Sequence, residues 1–162
     1  MPDDAYQKIM ERLDGREVQI IVDATKDLLL NVLEYHPFLI KPNNHELGEI
    51  FDVELKTRED VIPYAKKLQE KGAVNVLVSM AGEGAVLIDA NGDVHMAPAP
   101  KGTLVNGVGA GDSMVAGFMA GWLDYEHAFC MGVSAGSASA FSEHLATKAE
   151  IEAVYQQVTG NR

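Results

Sequence analysis

Apolar positions along the chain change their spacing repeatedly, and each change marks a new element. Ile9, Met10 and Leu13 share one face of a helix that opens at Asp3 and Asp4 and is ended by Gly15. The run VQIIVD at 18–23 is apolar enough for a buried strand, and Thr25 is placed to cap a second helix running through Tyr35. After Pro37 a short strand, FLIK, reaches Pro42, and a third helix starts at the polar turn NNHE. Thr57 and Asp60 have the spacing of a capping box, so Val61, Ala65 and Leu68 predict a helix that Gly72 ends. NVLVSM reads as the next strand. The segment 84–100 reads as two strands joined at Asn91-Gly92, a pair that tolerates the positive φ angles of a tight hairpin. From there the pattern is helical, in runs over 109–123, 126–144 and 148–158.

Strands alternating with helices predict an α/β fold with a mostly parallel sheet covered on both faces. No repeat, low-complexity tract or linker divides the pattern, so the 162 residues form one domain at most. The sheet is short of strands. Ligands of such layered domains bind beyond the carboxyl ends of the strands, and three turns fall there: Lys41-Pro42-Asn43, 79–84 and 107–112. Meeting at one edge, they would make one site.

Charge narrows the partners. Lys and Arg total 13 against 24 Asp and Glu, a formal net charge of −11, so no nucleic acid and no anionic membrane is expected as a partner. The longest apolar stretch, MVAGFMAGWL at 114–123, is about half the length a bilayer requires. The acidic, amphipathic start lacks the basic opening and apolar core of a secretory signal, so a cytoplasmic location is expected. Cys130 is the single cysteine, which excludes an internal disulfide or a thiolate metal cluster.

The chemistry concentrates in NGVGAGDSMVAGF at 106–118. Glycines at 107, 109 and 111 let the backbone approach a ligand with its N–H groups outward, and the helix that follows adds its positive dipole end, so the segment suits an anion. Asp112 lies in the first turn of that helix, where a bound phosphate would repel it unless something stands between them. A hydroxyl awaiting phosphoryl transfer fits that gap. The competing account is a plain tight turn with Asp112 as a helix cap.

With these residues the sequence resembles the PfkB, or ribokinase-like, family of sugar kinases. Asn106-Gly107-Val108-Gly109-Ala110-Gly111-Asp112 is similar to the family's N/D-x-x-G-A-G-D segment, and Asn43-Asn44-His45-Glu46 to its N-x-x-E motif. Lys41 and Pro42 before the latter resemble the sugar-phosphate branch, which includes 1-phosphofructokinase and tagatose-6-phosphate kinase. Ser79-Met80-Ala81-Gly82-Glu83-Gly84-Ala85 is similar to the family's S-x-G-x-x-G-A nucleotide loop, with the middle glycine one place later.

The resemblance covers essentially the whole chain and about half of a kinase. It implies a ribokinase-like three-layer α/β/α fold, with residues 1–162 as the C-terminal portion of the kinase domain and the N-terminal half and β-sheet lid absent. It further implies Asp112 as catalytic base and Gly109, Ala110 and Gly111 as the anion hole. Ser79, Met80, Ala81, Gly82, Glu83 and Gly84 would wall the ATP site, and Lys41 would meet nucleotide phosphate. Asn43 and Glu46 would hold Mg2+ through water, in keeping with that ion's oxygen preference; the same pair also suits an ordinary helix start. The implied reaction is ATP-dependent phosphorylation of a sugar phosphate, fructose 1-phosphate to fructose 1,6-bisphosphate. The alternative is a truncated, inactive fragment that binds nucleotide, its unpaired sheet edge open to self-association into a homo-oligomer.

Other motifs compete poorly. Gly132-Val133-Ser134-Ala135-Gly136 has the form G-x-S-x-G of a serine hydrolase, but it lies within a helical run and no Asp follows Ser134. Small residues at 132, 135, 136 and 139 suit close approach of a helix or an adenine ring. Dinucleotide binding fits badly, because Asp112 occupies the third-glycine position and no acidic-ended strand follows. His36, His45, His95, His127 and His144 lack metal-ligand spacing. Cys130 and the stripe Met114, Phe118, Met119 and Trp122 are expected in the core.

Overall fold

A computed structural model describes residues 5–13, 15, 16, 18–23 and 26–160. The cap positions Asp3, Asp4 and Thr25 lie outside the described residues.

Helix α1 (Ala5–Leu13) stops just before Gly15, as its sequence predicts. The VQIIVD run forms a strand only over β1 (Ile21–Val22), because its partner β2 (Leu39–Ile40) is equally short. Pro37 and Pro42, which lack an N–H, bracket β2 and limit the ladder. The single helix predicted through Tyr35 is instead α2 (Lys26–Leu30) followed by a 3-10 turn, Leu33–Tyr35. His36 closes that turn in the left-handed conformation at φ 51°, and the break buries Leu29, Val32 and Leu33 together.

Helix α3 (Asn44–Phe51) and helix α4 (Arg58–Glu70) both begin with a full capping box, the second on Thr57 and Asp60 as predicted. Then come β3 (Asn75–Ser79), a 3-10 turn (Ala81–Glu83), β4 (Ala85–Ile88) and β5 (Val94–Ala97). The hairpin turns at the predicted place by a different geometry. Gly92 alone takes positive φ; its N–H bonds the Asp89 carbonyl at 2.8 Å, and the Asp89 N–H bonds the Asp93 carbonyl at 3.0 Å. The Asp89 carboxylate completes the turn by accepting from the N–H groups of Asn91 and Asp93. The strands form one sheet in the order β1-β2-β3-β4-β5. β1, β2 and β3 run parallel, with Ile21 opposite Leu39 and Ile40 opposite Val76. The connections from β3 to β4 and from β4 to β5 are too short for a crossover, so the sheet is mixed rather than parallel throughout.

The described chain divides into two compact units, 1–80 with 86–94, and 81–85 with 95–162. In the first, Val76 and Val78 of β3 join Leu47 of α3 and Val61, Ala65 and Leu68 of α4 in a core, all with no measurable exposure. In the second, α5 (Ala110–Ala120), α6 (Tyr125–Ala140) and α7 (Lys148–Gly160) pack in succession. The small-residue positions of α6 serve the approach of α5. A Cβ on Gly117 would stand 2.6 Å from the Ala135 Cβ, and one on Gly132 would stand 2.9 Å from the Met114 carbonyl oxygen. Met114 and Phe118 are buried as predicted, whereas Trp122 is 37% exposed and meets Phe118 at a tilt and Tyr125 edge-on. Cys130 is buried on α6; that burial, with a smaller contribution from Asp124, pushes its thiol pKa up and keeps it unreactive.

Candidate active site

In the first unit the chain ends of β2 and β3 place Lys41, Asn43 and Ser79 side by side. Asn43 bridges Ser79 as a parallel partner, and the Ser79 N–H donates to the Pro42 carbonyl at 3.1 Å. Lys41 is 7% exposed, and its ammonium lies 3.3 Å from the carboxylate of Asp23. Sequence reading missed Asp23; its only signal was a carboxylate at the end of an apolar strand. A cation this buried depends on such a partner to offset lost hydration.

Asn43 and Glu46 meet directly. The Glu46 N–H donates to the Asn43 Oδ1 at 2.9 Å, and the Asn43 N–H donates to the Glu46 Oε2 at 2.8 Å, which is the reciprocal cap of α3. The pair therefore has a structural duty whatever else it does. The cap engages Oε2 of the Glu46 carboxylate and leaves Oε1 outside the cap. Among the described residues no group of three or more His, Cys, Asp and Glu could hold a metal ion. Oxygen donors in such small number fit Mg2+ retained mainly by water and phosphate. Met80, by contrast, is 3% exposed with its side chain in the core.

In the second unit Ala81, Gly82 and Glu83 form an exposed 3-10 turn, with Ala81 at φ 46°. Gly84 follows at φ +99°, and a Cβ there would run into the Ala97 carbonyl. The turn has a glycine because backbone passes against backbone.

The glycine segment opens a helix where its sequence predicts one. Gly109 is the N-cap of α5 at φ +79°, with no side-chain cap. The Ala110 N–H bonds the Gly107 carbonyl at 3.3 Å and the Ser113 N–H bonds the Gly109 carbonyl at 2.9 Å. Among the described residues the N–H groups of Gly109, Gly111 and Asp112 have no acceptor. Ala110 thus turns its N–H inward, while its neighbours leave theirs open at the positive end of the helix, a cradle whose charge suits an anion. Asp112 stands exposed in that first turn. Behind the cradle, Val105 and Asn106 both donate to the Ala140 carbonyl, and the Asn106 side chain accepts from Val108 at 3.0 Å.

A model of pfkB family carbohydrate kinases matches residues 1–152. The chain belongs to the PfkB family. Its PfkB relatives include the 1-phosphofructokinase of Bacillus subtilis, 47% identical over all of this chain and 54% of that protein. The D-tagatose-1-phosphate kinase of Bacillus licheniformis is 33% identical over 98% of this chain and 53% of that protein. Phosphofructokinase-2 from Escherichia coli, in complex with substrates and products, superposes with a TM-score of 0.84 at 27% identity, covering 95% of this chain and 53% of that one. The ribokinase-like α/β fold expected of a PfkB protein is therefore present, and the chain spans about half the length of the curated relatives it matches. Among the described residues no helix is long and apolar enough to cross a membrane.

The hydrolase alternative meets a plain obstacle. Ser134 is wholly buried in the middle of α6, and its hydroxyl donates to the Cys130 carbonyl at 2.6 Å. It forms no exposed strand-to-helix elbow. Three of the five histidines have local partners: His36 meets the Gly72 carbonyl, His95 the carboxylate of Glu126, and His127 the hydroxyl of Tyr155.

Proposed function

We propose that the chain is the phosphate-handling part of an ATP-dependent sugar-phosphate kinase, acting on fructose 1-phosphate to give fructose 1,6-bisphosphate. The observation that carries this reading is the first turn of α5, where unpartnered N–H groups and the exposed Asp112 carboxylate share a single turn. The identity to 1-phosphofructokinase favours fructose 1-phosphate over a tagatose phosphate.

In the proposed reaction the acceptor hydroxyl gives its proton to Asp112 as its oxygen bonds the γ-phosphorus and the bond to ADP breaks. The N–H groups of Gly109 and Gly111 stabilise the charge that grows on the transferring oxygens. Family resemblance assigns Lys41 to nucleotide phosphate, Asn43 and Glu46 to Mg2+, and 79–84 to the nucleotide. Bound magnesium would neutralise phosphate charge.

Substitution of Asp112 by Asn is the direct test. ADP release with fructose 1-phosphate should fall by about 10²- to 10⁴-fold, the usual worth of a positioned base. Full turnover by that variant would remove Asp112 from the mechanism. A second reading, a nucleotide-binding fragment without catalysis, is favoured by the half-length match alone, and turnover by the isolated chain would exclude it.

A further inference from the structure

Of the serines in α6 and just beyond it, Ser134 and Ser142 behave alike. Ser134 donates to the Cys130 carbonyl and Ser142 to the Ala138 carbonyl, the back-bond to the preceding turn that a helical serine ordinarily makes. Ser139, 3% exposed, turns elsewhere. Its hydroxyl donates to the Ser113 Oγ at 2.9 Å and accepts from the Ala146 N–H at 3.1 Å. Ser113 adjoins Asp112 in the first turn of α5, and Ala146 belongs to the segment 141–147 that links α6 to α7. One buried hydroxyl therefore joins two pieces of backbone that are distant in sequence.

Those pieces already touch at the cradle. A Cβ on Gly109 would lie 3.0 Å from a methyl of Leu145, and the Asn106 amide reaches the Glu143 carbonyl at 3.4 Å. Leu145 itself is 68% exposed, so packing does not fix the segment there. Polar bonds must hold it, and the best sheltered of them is the one through Ser139.

We propose that Ser139 is a positioning residue that locks the anion cradle of α5 to the segment 141–147, so that the two move as a unit. This rests on the reading of Asp112 and the glycine turn as the phosphoryl-transfer site. Ser139 meets no substrate; it acts through Ser113 on the turn that presents Asp112 and the Gly109 and Gly111 N–H groups. Without the hydroxyl, Ser113 and Ala146 lose their shared partner and the two segments fluctuate separately.

The test compares the full chain with Ser139→Ala, Ser139→Thr and Ser113→Ala by amide hydrogen exchange. Ser139→Ala should speed exchange about ten-fold both at the bonded Ala110 and Ser113 amides and in 141–147, the factor of one lost hydrogen bond. Exchange in β3 and α4 should stay unchanged, and Ser139→Thr should restore slow exchange by keeping the hydroxyl. Ser113→Ala added to Ser139→Ala should speed exchange in 109–113 no further. In phosphoryl transfer, Ser139→Ala should lower kcat about ten-fold with KM for the sugar phosphate unchanged. Exchange that rises in one segment alone, rises uniformly along the chain, or stays as in the parent would overturn the proposal. A wild-type chain with no turnover even when the N-terminal half of a full-length relative is supplied, combined with the two-segment exchange response, would count against the kinase reading and leave the lock standing.

Discussion

Gly84 is a residue whose worth lies in what it omits. Its positive φ and the Ala97 carbonyl in the path of any Cβ make two separate demands for glycine. Gly84→Ala should therefore cost about 3 kcal/mol or more, visible as a lower denaturant midpoint, whereas Gly82→Ala, with open space around its Cα, should be nearly neutral. The same distinction explains which site residues the sequence could reveal. Gly109 and Asp112 were legible because a backbone conformation and a helix start impose their residue types locally. Asn43 and Glu46 were legible twice, as motif and as cap, and the structure shows them meeting each other in the cap. Asp23 and Ser139 were not legible, because their partners, Lys41 and Ser113, are set by packing across the fold and leave no fixed spacing in the chain.

At the scale of elements, legibility followed the caps. Helix α4 was readable from Thr57 to Gly72 because both ends carry chemical signals. The 18–23 run was overextended because strand length is decided by the partner strand, and the predicted second helix broke because burial of Leu29, Val32 and Leu33 outweighed helical continuity. The cap of α4 also has a measurable pH signature. Asp60 accepts from the N–H groups of Thr57 and Lys56, bonds that hold its carboxyl below the ordinary carboxylate range. Its folded pKa is thus the lower one, so its stabilisation is complete above the unfolded value and is lost as pH falls through the folded value. Thermal melts should show Asp60→Asn costing stability near neutral pH, with the deficit vanishing in strong acid. Thr57→Ala should cost about 1 kcal/mol for the lost side-chain cap. An equal deficit for Asp60→Asn at every pH would show that the carboxylate contributes nothing as an ion.

At the scale of the whole molecule, the sheet order came out as a continuation of the sequence pattern, and its antiparallel end was legible in the hairpin signal at Asn91-Gly92. The edge strand β1 pairs only with β2 among the described residues, and the chain spans about half of its curated relatives. If catalysis needs the rest of the kinase domain, the isolated chain should show no turnover with ATP and fructose 1-phosphate. Adding the N-terminal half of the Bacillus subtilis relative should then restore ADP release; turnover by the chain alone would end that view. The path of the chain adds a constraint of its own. Each compact unit is stitched from two stretches, because the backbone passes from one to the other at 80/81, 85/86 and 94/95. No single scission can part the two units with both of them whole: a protease nick between β4 and β5 would leave each with a piece on the wrong side of the cut. A chain nicked there by limited digestion should therefore give no pair of durable half-sized products.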